Sequence, residues 1–320
     1  MNLDLLISNI TNPAFLFFVL GVVAVKLKSD LEIPPNSSKF ISLYLLFSIG
    51  FKGGQELSHE AFSTEILWSM LFGIGISLLI PVYTFFILRR KLNVYDAGAI
   101  AAAYGSVSAV TFVTAVSYLD VQKLQLHGHM VAIMALMESP AIIAGLILMS
   151  VYNKEESSSP NKLSVIKHSF TNGSVLLILG SLVIGLLANA KQAEGIKPFT
   201  NDIFKGFLAI FLLDMGITSG RKLSSFINNG WFPLIFAIII PLFNGCVVAL
   251  LSSFITHDIA NRFMFAVLAA SASYIAVPAA MKIAIPKANP GLYLPMALAV
   301  TFPLNITFGM PIYLAVVNSF

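Results

Sequence analysis

The octapeptide SASYIAVP, residues 271–278, stands between MFAVLAA (264–270) and AAMKIAI (279–285). A helix that crosses a bilayer needs about 20 mostly apolar residues in one run. This segment supplies them on either side of two serines, a tyrosine and a proline. The rest of the chain is equally apolar. Of its 320 residues, 57% are hydrophobic and 11% charged, and the mean hydropathy is +0.86. A soluble domain carries about 25% charged residues, so this chain has too few to cover its own surface in water. It reads as an all-α polytopic membrane protein.

The net charge of +4 does not point to nucleic acid, because the basic residues fall in short loops between apolar runs and not on one face. Cys246 lies inside an apolar run and, being alone, excludes an intrachain disulfide. The stretch MNLDLLISNITN (1–12) has no basic n-region and no small-residue cleavage site, which predicts that the first apolar segment is retained.

Ten apolar segments are expected: Leu5–Val25, Phe40–Gly54, Ile66–Leu88, Ala97–Leu119, Met130–Tyr152, Val175–Ala190, Ile203–Gly220, Trp231–Ile255, Met264–Ile285 and Tyr293–Val317. Lys and Arg concentrate in cytoplasmic loops. With the N-terminus outside, most of the 19 basic residues fall inside, among them Lys26, Lys28, Arg89, Arg90, Arg221 and Lys222. Both termini are then extracytoplasmic, in a cell inner membrane. The Ser/Pro-rich, charged stretch NKEESSSPNKLSVIKHSFTNG (153–173) reads as a solvated cytoplasmic linker. It separates residues 1–152 from 174–320.

The two parts match each other. SIGFKGGQEL (48–57) aligns with DMGITSGRKL (214–223), GSVSAVTFVTA (105–115) with ASASYIAVPAA (270–280), and MALMESP (134–140) with MALAVTFP (296–303). The order is the same and the offset drifts only from 166 to 163. Five segments in each part place the second part in the membrane upside down. This is a 5+5 inverted-topology repeat, the build of secondary transporters. No GxxxxGK[ST] motif is present to couple ATP.

The break at SASYIAVP now has a counterpart in YGSVSAVT (104–111). Paired interruptions at equivalent places mark a transporter's binding site. A helix that restarts inside the membrane presents unpaired N–H groups and the positive end of its dipole, which together attract an anion. Ser106, Ser108, Ser271 and Ser273 can cap or line two such ends, and Pro278 suits a first turn because it has no N–H to satisfy. Single serines also serve close helix packing; it is their repeat-matched clustering that favours a site.

Glu138 and Asp214 fall inside apolar segments, where an ionisable side chain is a functional candidate. Glu138 fits either a Na⁺ ligand or a proton carrier; Asp214 fits an interfacial structural role as well as a transport role. Lys52 is expected to snorkel to the interface. The five histidines lie in or beside loops, and HExxH, Cys/His metal spacing and GxSxG are all missing. No enzyme, catalytic residue or cofactor is expected.

YGSVSAVT, MALMESPAI, AASASYIAVPAAMKIAIPKANPGLYLP and FPLNITFGMPIYLAV resemble the sodium-dependent bicarbonate transporter family over essentially the whole chain. The resemblance implies bicarbonate carried inward by Na⁺, a homotrimer, and a substrate-carrying core moving against a gate domain. It places the anion at the half-helix ends that match Gly105, Ser106, Val107 and Ser108 and Ser271, Ala272 and Ser273. Thr111, Glu138, Ser139 and Thr301 are the candidates for Na⁺, with no other metal. A PII-like regulatory protein at the cytoplasmic face is a further implied partner. This sequence departs from the family pattern at Tyr274, where an Asp is usual, and at Glu138, also usually Asp. Two other readings follow from those departures: a different anion or H⁺ coupling through Glu138, and a membrane sensor that binds without transporting.

Overall fold

The computed structural model describes residues 13–59, 63–153, 173–226, 230–284 and 286–320. Among them every regular element is helical. The first part holds α1 (Pro13–Lys26), α2 (Pro35–His59), α3 (Thr64–Leu88), α4 (Val94–Gly105), α5 (Ala109–Val121) and α6 (His129–Tyr152). The second holds α7 (Gly173–Leu187), α8 (Ala190–Lys197), α9 (Phe204–Phe226), α10 (Trp231–Leu251), α11 (Ile259–Ala270), α12 (Ala276–Ala284) and α13 (Pro290–Ser319). The last of these contains π-type turns at Met296–Thr301 and Asn305–Gly309. The expected linker, apart from its ends, and the start of the first expected segment lie outside the described residues.

Among the described residues, six stretches are long and apolar enough to cross a membrane: Thr64–Leu88, Val94–Val121, His129–Tyr152, Ala190–Leu223, Trp231–Phe254 and Pro290–Ser319. The protein is therefore a helical, multi-pass membrane protein. Phe15–Lys26, Leu176–Leu187 and Ile259–Ala270 are shorter apolar helices. Helix α2 has 25 residues, among them Lys39, Lys52 and Glu56, so its expected apolar core, Phe40–Gly54, is only the middle of a longer helix. Residues 190–197, read as loop, form α8. A capping box starts it: Asn189 Oδ1 accepts from the Gln192 N–H at 2.9 Å, and Gln192 Oε1 accepts from the Asn189 N–H at 2.9 Å.

Helix α1 packs along α9, and α2 packs along α7. Each part thus lays its first helix on the long helix of the other. Glycine makes both crossings close. A Cβ at Gly21 would collide with the Leu213 carbonyl, one at Gly216 with that of Phe18, one at Gly54 with that of Leu182, and one at Gly185 with that of Phe51. In membranes, where apolar burial does not by itself hold helices together, this closeness supplies the dispersion contact. The remaining helices form a second group, in which α3 packs on α4 and α6, and α10 packs on α11 and α13.

Polar ties secure the helix ends of that second group. Asp96 in the first turn of α4 accepts the Asn289 N–H at 2.7 Å, while Asn289 Oδ1 caps α13 through the Gly291 N–H at 2.9 Å. The run around AIPKANPGLYL is thereby joined to the start of α4. Arg262, only 5% exposed, donates to the Val317 carbonyl at 3.2 Å and the Ala249 carbonyl at 3.1 Å. A cation there complements the negative ends of α10 and α13.

Gly54→Ala should lower stability in detergent by about 1–3 kcal/mol, because the collision is with backbone and cannot be relieved by a rotamer. Gly75→Ala, where nothing lies within 4 Å, should leave the unfolding temperature unchanged or raise it. Thermal unfolding of the two variants side by side reads the difference.

Candidate functional site

Helix α4 stops at Gly105 because Ser106 turns extended, with φ −82° and ψ 172°. Gly105 lies against the ring of Pro81 in α3, where a Cβ would collide. Two residues on, Ser108 (φ −101°, ψ 110°) caps α5, its Oγ accepting from the Thr111 N–H at 3.1 Å. Helix α11 stops in the same way at Ala270, before Ser271 with φ −80° and ψ 165°. Ser273 Oγ then accepts from the Val277 N–H in the first turn of α12 at 3.3 Å. Both interruptions read in the sequence are present, and they fall on the serines.

The two breaks hold each other. The Ser108 N–H donates to Ser271 Oγ at 3.0 Å, and the Ser273 N–H donates to the Ala103 carbonyl of α4 at 2.8 Å. A helix end leaves four carbonyls without intrahelical donors, and away from water each unpaired group costs several kcal/mol. Around α11 these carbonyls are served one by one. Leu268 accepts from the Ser271 hydroxyl at 2.8 Å, Ala269 from Asn244 at 3.3 Å and Ala270 from Asn305 at 2.7 Å. At the end of α4, the Ala102 carbonyl accepts the Ser106 N–H at 3.0 Å. Ser106, Val107, Ser108, Ser271, Ala272 and Ser273 are all buried.

A pocket of about 30 Å³ lies between the two restarts. Val107, Ser108 and Ala109 line it from the first break, and Ser273, Tyr274, Ile275 and Ala276 from the second. Met134 and Glu138 of α6, Leu46 of α2 and Ile178 of α7 complete the wall. Of the expected residues, then, Val107, Ser108, Ser273 and Glu138 share one pocket. Gly105, Ser106, Ser271 and Ala272 form the breaks behind it, with Ser106 Oγ donating to the Glu138 carbonyl at 3.4 Å. Thr111 contributes its N–H to the Ser108 cap, and neither it nor Ser139 is among the lining residues. Thr301 is placed elsewhere: its hydroxyl donates to the Ala237 carbonyl at 2.8 Å and accepts from Tyr104 at 2.7 Å.

Two further groups of residues complete the site. Leu46 and Ile178 bring the α2–α7 pair to the pocket, and nothing distinguishes them from other apolar residues. Asn244 and Asn305 support the broken end of α11. Their signal, an amide within an apolar run, was legible but pointed as readily to ligation as to support.

Two larger cavities lie toward opposite ends of α2. Ser38, Lys39, Ser42 and Leu46 border one of about 530 Å³, together with Glu32, Asp214, Arg221, Lys222, Tyr274 and Ile275. Ser48, Ile49 and Lys52 border one of about 200 Å³, together with Asp120 and Lys205, which pair at 3.7 Å. Lys52 therefore lines a cavity and is not simply an interfacial anchor. Asp214 is buried, and Ser38 of α2 donates a hydrogen bond to its carboxylate. The pair ties α2 to α9 at the wall of the larger cavity.

The sequence model of the Na⁺-dependent bicarbonate transporter superfamily matches residues 13–318, which takes in both breaks and every element described. No curated protein matches the sequence.

Asn305→Ala should leave the Ala270 carbonyl without its donor and the Tyr313 hydroxyl (2.8 Å from Asn305 Oδ1) with only the longer bond to the Pro241 carbonyl, at 3.3 Å. A loss of about 1–3 kcal/mol is expected, measured as a lower midpoint in thermal unfolding of the purified protein.

Proposed function

The chain belongs to the Na⁺-dependent bicarbonate transporter superfamily, a family of transporters and not of enzymes, and on that premise we propose that it imports bicarbonate together with Na⁺. The observation that carries this reading is the shared pocket of Ser108, Ser273 and Glu138 between two helix restarts. The anion is held by first-turn N–H groups and the positive ends of α5 and α12, each worth roughly half an elementary charge. Among the described residues no lysine or arginine lines the pocket, so the backbone supplies the attraction.

Glu138 supports the coupling. A carboxylate and an anion in one small pocket repel each other in their charged forms. The anion is admitted when a cation neutralises Glu138, and it then leaves with that cation. Na⁺, which prefers oxygen ligands, is the ion named by the family. Thr111 and Ser139, within a turn of the pocket residues, are the further candidates for its shell, while the hydroxyl of Thr301 is committed to Tyr104 and Ala237. Proton coupling is the second reading, favoured by Glu138 being the one acid among the lining residues.

Ten spans in a 5+5 inverted repeat underlie the mechanism we propose. The crossed pairs α1–α9 and α2–α7 form the gate, and the groups built around α3–α6 and α10–α13 form the moving core. The matched break geometry and the exchanged packing both support that arrangement. With both termini outside, in an inner membrane, the 530 Å³ cavity bordered by Lys39, Arg221 and Lys222 faces the cytoplasm. The homotrimer is carried forward from the family resemblance.

Uptake of labelled bicarbonate into proteoliposomes should require an inward Na⁺ gradient. Ser108→Ala with Ser273→Ala should raise the KM for bicarbonate at least ten-fold in folded protein; unchanged uptake would remove the site as drawn. Glu138→Gln separates the two couplings. It should abolish Na⁺ stimulation if Na⁺ is the partner, and should abolish the pH dependence of Na⁺-independent uptake if H⁺ is.

A further inference from the structure

Tyr274 is 8% exposed, and it borders both the 30 Å³ pocket and the 530 Å³ cavity. With Leu46 and Ile275 it forms the partition between them. Its ring is positioned by packing: it meets Phe302 of α13 edge-on at 6.0 Å, and Phe302 in turn meets Phe18 of α1 at 5.8 Å. The hydroxyl takes no part in that anchoring. It is buried beside Ser108, yet forms no hydrogen bond of normal geometry with any described residue. Phenylalanine would serve the packing equally well, without the penalty of an orphaned buried donor.

The smaller of the two spaces that Tyr274 lines is too small for a substrate. A space of about 30 Å³ takes one or two waters, whereas a planar oxyanion of four heavy atoms needs more. Filling it requires the residues shared with the larger cavity, Leu46, Tyr274 and Ile275, to yield. Two needs then coincide on one side chain. The door must move to admit an anion, and a door bearing an O–H can donate to that anion when it closes.

We infer that Tyr274 is both the thin gate on the 530 Å³ side and a neutral donor to the bound anion, completing the shell begun by the first turns of α5 and α12. This rests on the anion site proposed above. A tyrosine donates without adding charge, so it strengthens anion binding and leaves the balance between Glu138 and the coupling cation unaltered. The class of ligand is a small planar oxyanion.

Two variants test the two roles. In Tyr274→Phe, bicarbonate affinity measured by titration calorimetry in saturating Na⁺ should fall about ten-fold. The unfolding temperature of the ligand-free protein should hold or rise, because an unpartnered hydroxyl is being removed. Unchanged affinity in a protein whose wild type binds bicarbonate overturns the donor role alone, as does a fall in ligand-free stability. Wild type that binds no bicarbonate overturns the anion site and this inference together. For the gate, Met134→Cys lines the small pocket but not the larger cavity. In a Cys246→Ala background its reaction with a bulky, water-soluble thiol reagent should speed at least ten-fold on adding Tyr274→Ala. Equal rates would overturn the gate.

Discussion

A helix can stop inside a membrane only where its backbone groups find partners in the protein. In this molecule that constraint is met by reciprocity: the Ser108 N–H donates into the second break at Ser271, and the Ser273 N–H donates into the end of α4 at Ala103. Neither break is satisfied by its own segment alone. The arrangement of α3–α6 and α10–α13 around the site follows from bringing the two ends within hydrogen-bond reach. Asn244, Asn305 and Ser271 then serve the carbonyls that the crossing leaves over.

Because the outgoing carbonyls are occupied by amides and hydroxyls, what remains for a ligand in the proposed site are the first-turn N–H groups of α5 and α12 not already taken by the Ser108 and Ser273 caps. In the proposed anion site that asymmetry selects by sign, with no lysine or arginine among the described lining residues. Helix α2 is the common wall of this site and of both larger cavities. From Ser38 through Leu46 to Lys52 it spans about 21 Å at about 1.5 Å per residue, passing from one cavity, past the pocket, to the other. In the mechanism we propose, a small displacement of the break-bearing group along α2 would change which cavity the pocket meets.

Much of this was legible in the sequence. Polar residues within apolar runs betrayed the breaks, since nothing else accounts for two serine clusters at matched positions. The glycines of SIGFKGGQEL and DMGITSGRKL stood out for the same reason, and Gly54 and Gly216 prove to be where helices nearly touch. The failures have physical causes. Residues 190–197 are polar and exposed, so no apolar periodicity announced α8, although its Asn189 and Gln192 cap was in view. Thr301 matched Glu138 by position in the repeat, but its hydroxyl is drawn into a tie between Tyr104 and Ala237 that only tertiary contact creates. The importance of Tyr274 lay in where its hydroxyl ended up, which depends on Phe302 from another helix.

The crossed packing of α1 on α9 and α2 on α7 bears on how the chain is made. Domains generally fold as they emerge from the ribosome, N-terminal part first. Here α1 has its partner some two hundred residues downstream, and α2 must wait for α7. Until α7 and α9 have been made, the close-packing faces at Gly54 and Gly21 lack the helices they meet in the finished fold. The early helices therefore wait for their partners, and the proposed gate is complete only once the chain has been made as far as α9, Phe204–Phe226 of 320 residues. A truncated product would keep α3–α6 packed together and lack a gate altogether, which gives membrane quality control a simple feature by which to recognise it.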